Sequence, residues 1–259
     1  MLSMSSDHGV KNYTDWDDFD AEAYVRHNYV QKILHEDRYI LERVIKALHD
    51  HGAKPQAWEH VADVGTGPNF YPPMLLAPFV KPAENGGRVD LIEFSPDNRR
   101  YLEEVLRGSH PHSNDGCWHK FETAMRKECL LWTGAVQEVC EKAKVVAGSI
   151  FELPHEAYDA ISSYFVAESI TDDLETCKKA VNRVLNAVKP GGFISMAFML
   201  GSEGYPAGVD TFFPAVAIDV PQLRGMYFGK ADVEIVQVPA KPGARPGYTG
   251  MAVVTGKKL

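Results

Sequence analysis

Apolar positions at helical spacing open the chain: Tyr24, Tyr29, Ile33 and Leu34, then Ile40, Leu41, Val44, Ile45 and Leu48. They predict helix from Trp16 to about His51, after a polar and flexible N-terminus over residues 1–14. From there the pattern alternates. Short apolar runs at about 59–64, 88–93, 144–148, 158–163 and 193–199 have the length of buried strands. Between them lie helical stretches beginning near Pro72 and Pro73, over 97–106, over 135–142 and over 173–188. Lys189-Pro190-Gly191-Gly192 stops the last of these, as Pro and Gly do. Two further apolar runs, 233–238 and 251–254, flank a Pro/Gly-rich loop and read as an antiparallel hairpin. Residues 107–142 form a long excursion before the third strand, loop-like over 109–116. Strand and helix in alternation predict an α/β fold, a doubly wound, mostly parallel Rossmann-like sheet closed by an antiparallel C-terminal hairpin.

Composition narrows the class. With 259 residues, 45% hydrophobic, the chain can bury one sizeable core. The charge is 27 − 35 = −8 with no Lys/Arg cluster, which argues against a nucleic-acid partner. No apolar run approaches the ~20 residues of a membrane span, and none marks a signal peptide. Cys117, Cys129, Cys140 and Cys177 include no C-x-x-C pair and read as reduced thiols in a cytoplasmic protein. His110, His112, His119 and Cys117 match no zinc spacing, so no metal is assigned.

The densest chemistry lies in Val61-Ala62-Asp63-Val64-Gly65-Thr66-Gly67-Pro68, a strand running into a Gly-x-Gly turn behind an acidic residue. Such a turn needs glycine, since the backbone enters conformations a β-carbon forbids and approaches a ligand closely. The third glycine of dinucleotide-binding turns is replaced by Phe70. That loss suits a nucleoside ligand without a pyrophosphate, with S-adenosylmethionine the leading candidate. Glu93 closes the second strand, where a carboxylate can accept both ribose hydroxyls, and Asn98 follows it. Glu168, after the fourth strand, is the first candidate for a substrate-facing carboxylate that orients a nucleophile or takes its proton. It could equally be a helix-start acid. Asp172 and Asp173 read as cap and first turn of the next helix.

Asp63-Val64-Gly65-Thr66-Gly67, Glu93 and Val188-Lys189-Pro190-Gly191-Gly192-Phe193 together resemble class I S-adenosylmethionine-dependent methyltransferases. Gly65 to Tyr71, the Tyr24…Tyr29 pair and Glu168-Ser169-Ile170-Thr171-Asp172-Asp173-Leu174 are similar to the nicotinamide/phenylethanolamine/thioether methyltransferase family. The resemblance covers residues 17–259 and implies a helical lid over 15–55 on a single core over 56–259. It implies cofactor contacts from Tyr24 and Tyr29 on the lid and from Asp63, Gly65, Thr66 and Gly67 at the turn. Tyr71 would reach the cofactor's carboxylate, Glu93 and Asn98 its ribose, and Gly148, Ser149 and Ile150 its adenine. Ser163, Tyr164 and Ser169 would approach it from the loop after the fourth strand.

The resemblance implies methyl transfer to a nitrogen of a small molecule, with oxygen or sulfur next, by a monomer or homodimer. Tyr205 matches a substrate-facing tyrosine of the family, and Tyr24 and His27 are further substrate candidates. Phe198 stands where amine methyltransferases carry an acid, and Glu203 is near enough in sequence to supply a displaced carboxylate. Two rivals stay open at this point. A nicotinamide-dependent oxidoreductase lacks support from a third glycine or a Tyr-x-x-x-Lys pair, and a regulatory protein could bind the cofactor without transferring its methyl group.

Overall fold

The structure, a computed structural model, describes residues 20–29, 35–111, 116–206, 212–240 and 247–259. Where one helix is expected over 16–51 there are two, α1 (Ala21–Asn28) and α2 (His35–Asp50). Asp20 sets the start of α1 as its side chain caps the Ala23 N–H, satisfying one of the first-turn donors that have no helical partner. On α2 the predicted stripe Ile40, Leu41, Val44, Ile45 and Leu48 is buried.

The core elements follow in the order β1 (His60–Val64), α3 (Tyr71–Leu76), β2 (Arg88–Glu93), α4 (Pro96–Leu106), α5 (Cys117–Glu128) and α6 (Val136–Lys142). Then come β3 (Ala143–Ala147), β4 (Tyr158–Tyr164), α7 (Leu174–Ala187), β5 (Val188–Leu200), β6 (Gly204–Pro206), β7 (Phe212–Pro214), α8 (Val220–Tyr227), β8 (Ala231–Pro239) and β9 (Gly250–Lys258). Seven strands form one sheet in the order β3-β2-β1-β4-β5-β9-β8, and β6 pairs with β7 apart from it. Strands β1 to β5 are parallel; β9 runs antiparallel between β5 and β8.

Two cores sandwich the sheet. Val61, Leu91, Ala160 and Ala197 face the layer holding α1 to α6, and Ala62, Ile161, Met196 and Phe198 face α7 and α8. Burial on both faces explains why the central strands read as largely apolar runs rather than alternating ones. Strand β5 begins five residues earlier than expected, at Val188, where it pairs with Tyr158 before the ladder resumes at Ala160↔Phe193. Lys189 to Gly192 thus ends α7 and is absorbed as an irregularity, with Gly191 at φ +74°. Because β1 lies between β2 and β4, the connections diverge beyond its C-terminal end, the crevice where open α/β sheets bind ligands.

Candidate active site

At that crevice the turn after β1 is fastened to β2. The Gly65 and Thr66 N–H groups donate to the Ile92 carbonyl at 2.8 and 3.3 Å, and the Gly67 N–H donates to Glu93 Oε2 at 2.7 Å. Gly65 and Gly67 hold φ of +67° and +57°, which only glycine adopts readily. A β-carbon on Gly65 would lie 2.6 Å from Val166 Cγ2, whereas one on Gly67 would meet nothing within 4 Å. One side of the turn is therefore packed and the other opens outward.

Asp63 lies beneath the turn, 1% exposed, and its Oδ1 accepts from Ser162 Oγ at 2.5 Å. Burial pushes its carboxyl up to about 7, against the Ser162 hydrogen bond. Thr66 Oγ1 donates to the Asp63 carbonyl at 3.0 Å. Asp63 thus ties β1 to β4 at the switch point, directly beneath the turn.

Glu93 is 6% exposed and its second oxygen accepts the Ser95 N–H at 2.8 Å. Burial raises its pKa against the Gly67 and Ser95 bonds. Each carboxylate oxygen offers two lone-pair sites, and the Gly67, Ser95 and Asn98 bonds leave room for a further hydroxyl donor. Asn98, in the first turn of α4, is buried with Oδ1 unpartnered. The Gly148 N–H donates to the Glu93 carbonyl at 3.3 Å, Ser149 Oγ accepts the Phe151 N–H, and Ile150 is buried beside them. An orphaned acceptor and a carboxylate beside an open glycine fit the ribose of S-adenosylmethionine, with Ile150 as an apolar face for its base.

Beyond the turn stands an aromatic wall. The Tyr24 and Tyr29 rings lie 6.0 Å apart, Tyr29 is 5.6 Å from Tyr71, and Tyr71 is 6.0 Å from Tyr164. Phe121 stacks on Tyr71 at 5.6 Å. Asn69 Nδ2 donates to the Tyr29 hydroxyl at 3.4 Å, joining the wall to the turn. Burial pushes the Tyr24 hydroxyl up to about 12. Asp37, unremarked in the sequence, is buried against this wall. It looks there like an ordinary acid in a helix first turn, and only the fold reveals its burial.

The loop after β4 completes the crevice. Ser163 Oγ donates to the Val64 carbonyl at 2.9 Å, and the Tyr164 hydroxyl and Ser195 Oγ share a 2.7 Å bond. Phe165 holds φ +60°, a strained conformation of the sort that gathers at functional loops. Glu168 is 0% exposed; Oε1 accepts the Met199 N–H at 2.9 Å and Oε2 has no partner, nor does the adjacent Ser169 Oγ. Burial pushes Glu168 up to about 7, the Met199 bond opposing. Asp173 caps α7 through the Thr176 N–H, with Glu175 in the first turn.

The structure thus gathers the glycine turn, Glu93, Asn98 and Gly148 to Ile150 at one end and Tyr24, Tyr29, Tyr71 and Tyr164 at the other. Phe198 is fully buried toward α7 and α8, and Glu203 is solvent-exposed, apart from the fully buried Glu168. The side chains of His27 and Tyr205 lie outside the described residues. A polar groove of about 440 Å³ between α1 and α4, lined by Asp20, Arg26, Asp97, Arg100, Tyr101 and His110 among others, contains none of the site residues. Among the described residues no three metal-ligating side chains converge, and no helix is long and apolar enough to cross a membrane.

This strand order, with a glycine turn and an acidic strand end at the switch point, defines a class I methyltransferase of Rossmann-like fold. Residues 8–225 match the NNMT/PNMT/TEMT family, and the chain belongs to it. It is an S-adenosylmethionine-dependent methyltransferase whose acceptor is a small molecule. Solved methyltransferases share the fold at low identity. The one from Clostridium acetobutylicum has a TM-score of 0.56 at 11% identity, over 91% of this chain and 97% of that one. Those from Methanosarcina mazei and Aquifex aeolicus score 0.51 and 0.50 at 12% and 18% identity. They cover 82% and 93% of this chain, and 97% and 100% of theirs. Among curated proteins nothing matches.

Proposed function

We propose that the protein methylates a nitrogen of a small-molecule acceptor, holding S-adenosylmethionine along the line from Ile150 and Glu93 across Gly67 to the tyrosine wall. The observation that carries the cofactor placement is the pair Glu93 and Asn98, a carboxylate and an orphaned acceptor at the end of β2 beside the open face of Gly67. The bound cofactor supplies a methyl group on a sulfonium, an electrophile that needs only an aligned lone pair. Alignment alone can be worth effective molarities of ~10⁵–10⁸ M. Tyr24 on α1 and Tyr29 just after it belong to a lid over 15–55 that excludes water from the core over 56–259. Tyr24, His27, Phe198 and Tyr205 are the substrate-binding candidates.

The buried carboxyl of Glu168, with Oε2 free and a pKa near neutrality, favours nitrogen: it can take the proton a nitrogen sheds or pair with a cationic product. Glu203, exposed as it stands, is the lesser candidate for that role. The second reading, an oxygen or sulfur acceptor on an aromatic molecule, draws on Phe198 in place of the family's acid. A cytoplasmic monomer or homodimer suits either reading.

Mass spectrometry of products from a panel of amines, nitrogen heteroaromatics, phenols and thiols separates the two. Nitrogen methylation, reduced roughly 10²-fold or more by Glu168→Gln with S-adenosylhomocysteine affinity retained, is the expected result. Methylation confined to phenols or thiols refutes the nitrogen assignment.

A further inference from the structure

Glu93 is buried at the end of β2, where its carboxylate accepts the Gly67 and Ser95 N–H groups. To accept a ribose hydroxyl as well it must be ionised, because a protonated carboxyl gives up acceptor capacity and becomes a donor. Burial works against that, raising the Glu93 carboxyl against the Gly67, Ser95 and Asn98 bonds and the Arg99 charge. A buried carboxylate is normally paired with a cation. Asp63, the nearby acid on β1, carries the wrong sign, and its own ionisation is opposed by Glu93.

Arg99 is the cation stationed at this strand end. It follows Asn98 on α4, is half-buried, and reaches back over the connection to β2. Its Nη1 donates to the Glu93 carbonyl at 3.2 Å and to the Phe94 carbonyl. The other arginines of this helix and its cap pair along the helix, Arg100 with Asp97 and Arg107 with Glu103, as exposed helical cations commonly do. Glu103 lies four residues beyond Arg99, yet it pairs with Arg107, and Arg99 has no ion pair among the described residues. Its charge is therefore not neutralised by another acid. The Glu93 carbonyl also takes the Gly148 N–H at 3.3 Å, so Glu93 is held from the β3 side and from α4 together. Its carboxylate reaches back to an N–H only two residues ahead, at Ser95, so the direction of that carboxylate depends on the conformation of residues 93–95. Arg99 pins that stretch at both 93 and 94.

We propose that Arg99 is a positioning residue of the cofactor site: it fixes the end of β2 through the Glu93 and Phe94 carbonyls and supplies the countercharge that makes the Glu93 carboxylate an acceptor for a ribose hydroxyl. The proposal rests on placing the cofactor's ribose at Glu93. Arg99 acts through Glu93, and the role needs no contact between Arg99 and the cofactor. A lysine can carry the same charge toward the same carbonyls, though without the guanidinium's planar fork, whereas a neutral side chain cannot.

Isothermal titration calorimetry of the full chain with S-adenosylhomocysteine, and with its analogue lacking both ribose hydroxyls, tests this. The wild-type protein should prefer the hydroxylated ligand roughly 10²-fold, since hydrogen bonds to charged groups are among the strong ones. Arg99→Met should lower that preference about tenfold and leave the analogue's affinity unchanged. Arg99→Lys should restore most of it. A preference unchanged in Arg99→Met, or a weakening of both ligands equally, overturns the Arg99 assignment while leaving the cofactor placement intact. Failure of lysine to rescue a preference lost in Arg99→Met overturns the countercharge, and the assignment with it. Equal binding of the two ligands by the wild-type protein, or binding of neither, overturns the ribose placement itself. Should Arg99→Met not fold, Arg99→Gln is equally neutral and carries the same expectations.

Discussion

Gly65 and Gly67 share a positive φ and differ in what surrounds them, which makes the pair a probe of the turn. Alanine at either position adds a left-handed backbone penalty of roughly 1–2 kcal/mol. At Gly65 the new methyl also collides with Val166, so Gly65→Ala should lower the melting temperature markedly and displace the loop after β4. At Gly67 the methyl enters open space, so the stability loss should stop at the backbone term. If that space is the cofactor's, Gly67→Ala should weaken S-adenosylhomocysteine binding at least tenfold out of proportion to its effect on stability. Melting curves and calorimetry on the two variants read both quantities; unchanged affinity in Gly67→Ala would move the cofactor off this face. The glycines and Glu93 were legible because their chemistry is tied to a strand end. Asp37 was not, since nothing local separates it from its neighbour Glu36.

Among the elements, legibility followed the strength of local signals. Strand β2 was read to the residue, and β1, β3 and β4 to within one, because buried parallel strands leave short apolar runs bounded by turns. Two helices were passed over though their signals were present. In α5, Cys117, Trp118, Phe121 and Met125 form one buried stripe inside what was read as an excursion. In α8, Asp219 and Gln222 form a capping box with a proline in the first turn. The β6–β7 pair has three residues per strand and leaves too short a pattern to read. Asp173, read with Asp172 as cap and first turn, is itself the cap and accepts both the Thr176 N–H at 2.8 Å and its hydroxyl at 2.7 Å. Asp173→Ala should cost about 1 kcal/mol by chemical denaturation. The Asp173 side chain serves the first turn of α7, so cofactor affinity should not change; a loss there would show that the cap also sets the Glu168 loop.

At the scale of the whole molecule, the buried acids at the carboxyl edge of the sheet shape the dependence of stability on pH. Asp37, Asp63 and Glu168 are each pushed up to about 7, and Glu93 is shifted in the same direction, all chiefly by burial. In the unfolded chain such groups ionise near 4. Between about pH 4 and 7 the folded state therefore holds protons that the unfolded state has released, and stability falls as pH rises through that window. Asp90, Asp159 and Asp173 are shifted the other way, held down mainly by His60, Lys189 and Thr176 against burial where they are buried. Their contribution is complete above about 4 and is lost only in more acidic solution. The two sets act in separate windows, so the ligand-free protein should be most stable near pH 4–5, and its melting temperature should decline from pH 5 to 8. Asp63→Asn and Glu168→Gln should each flatten that decline, since an amide carries no proton to lose. A melting temperature that rises over the same range would contradict the protonated state of these acids. Groups with displaced titrations concentrate where a fold does chemistry, and here they line the crevice that β1, β2 and β4 leave open.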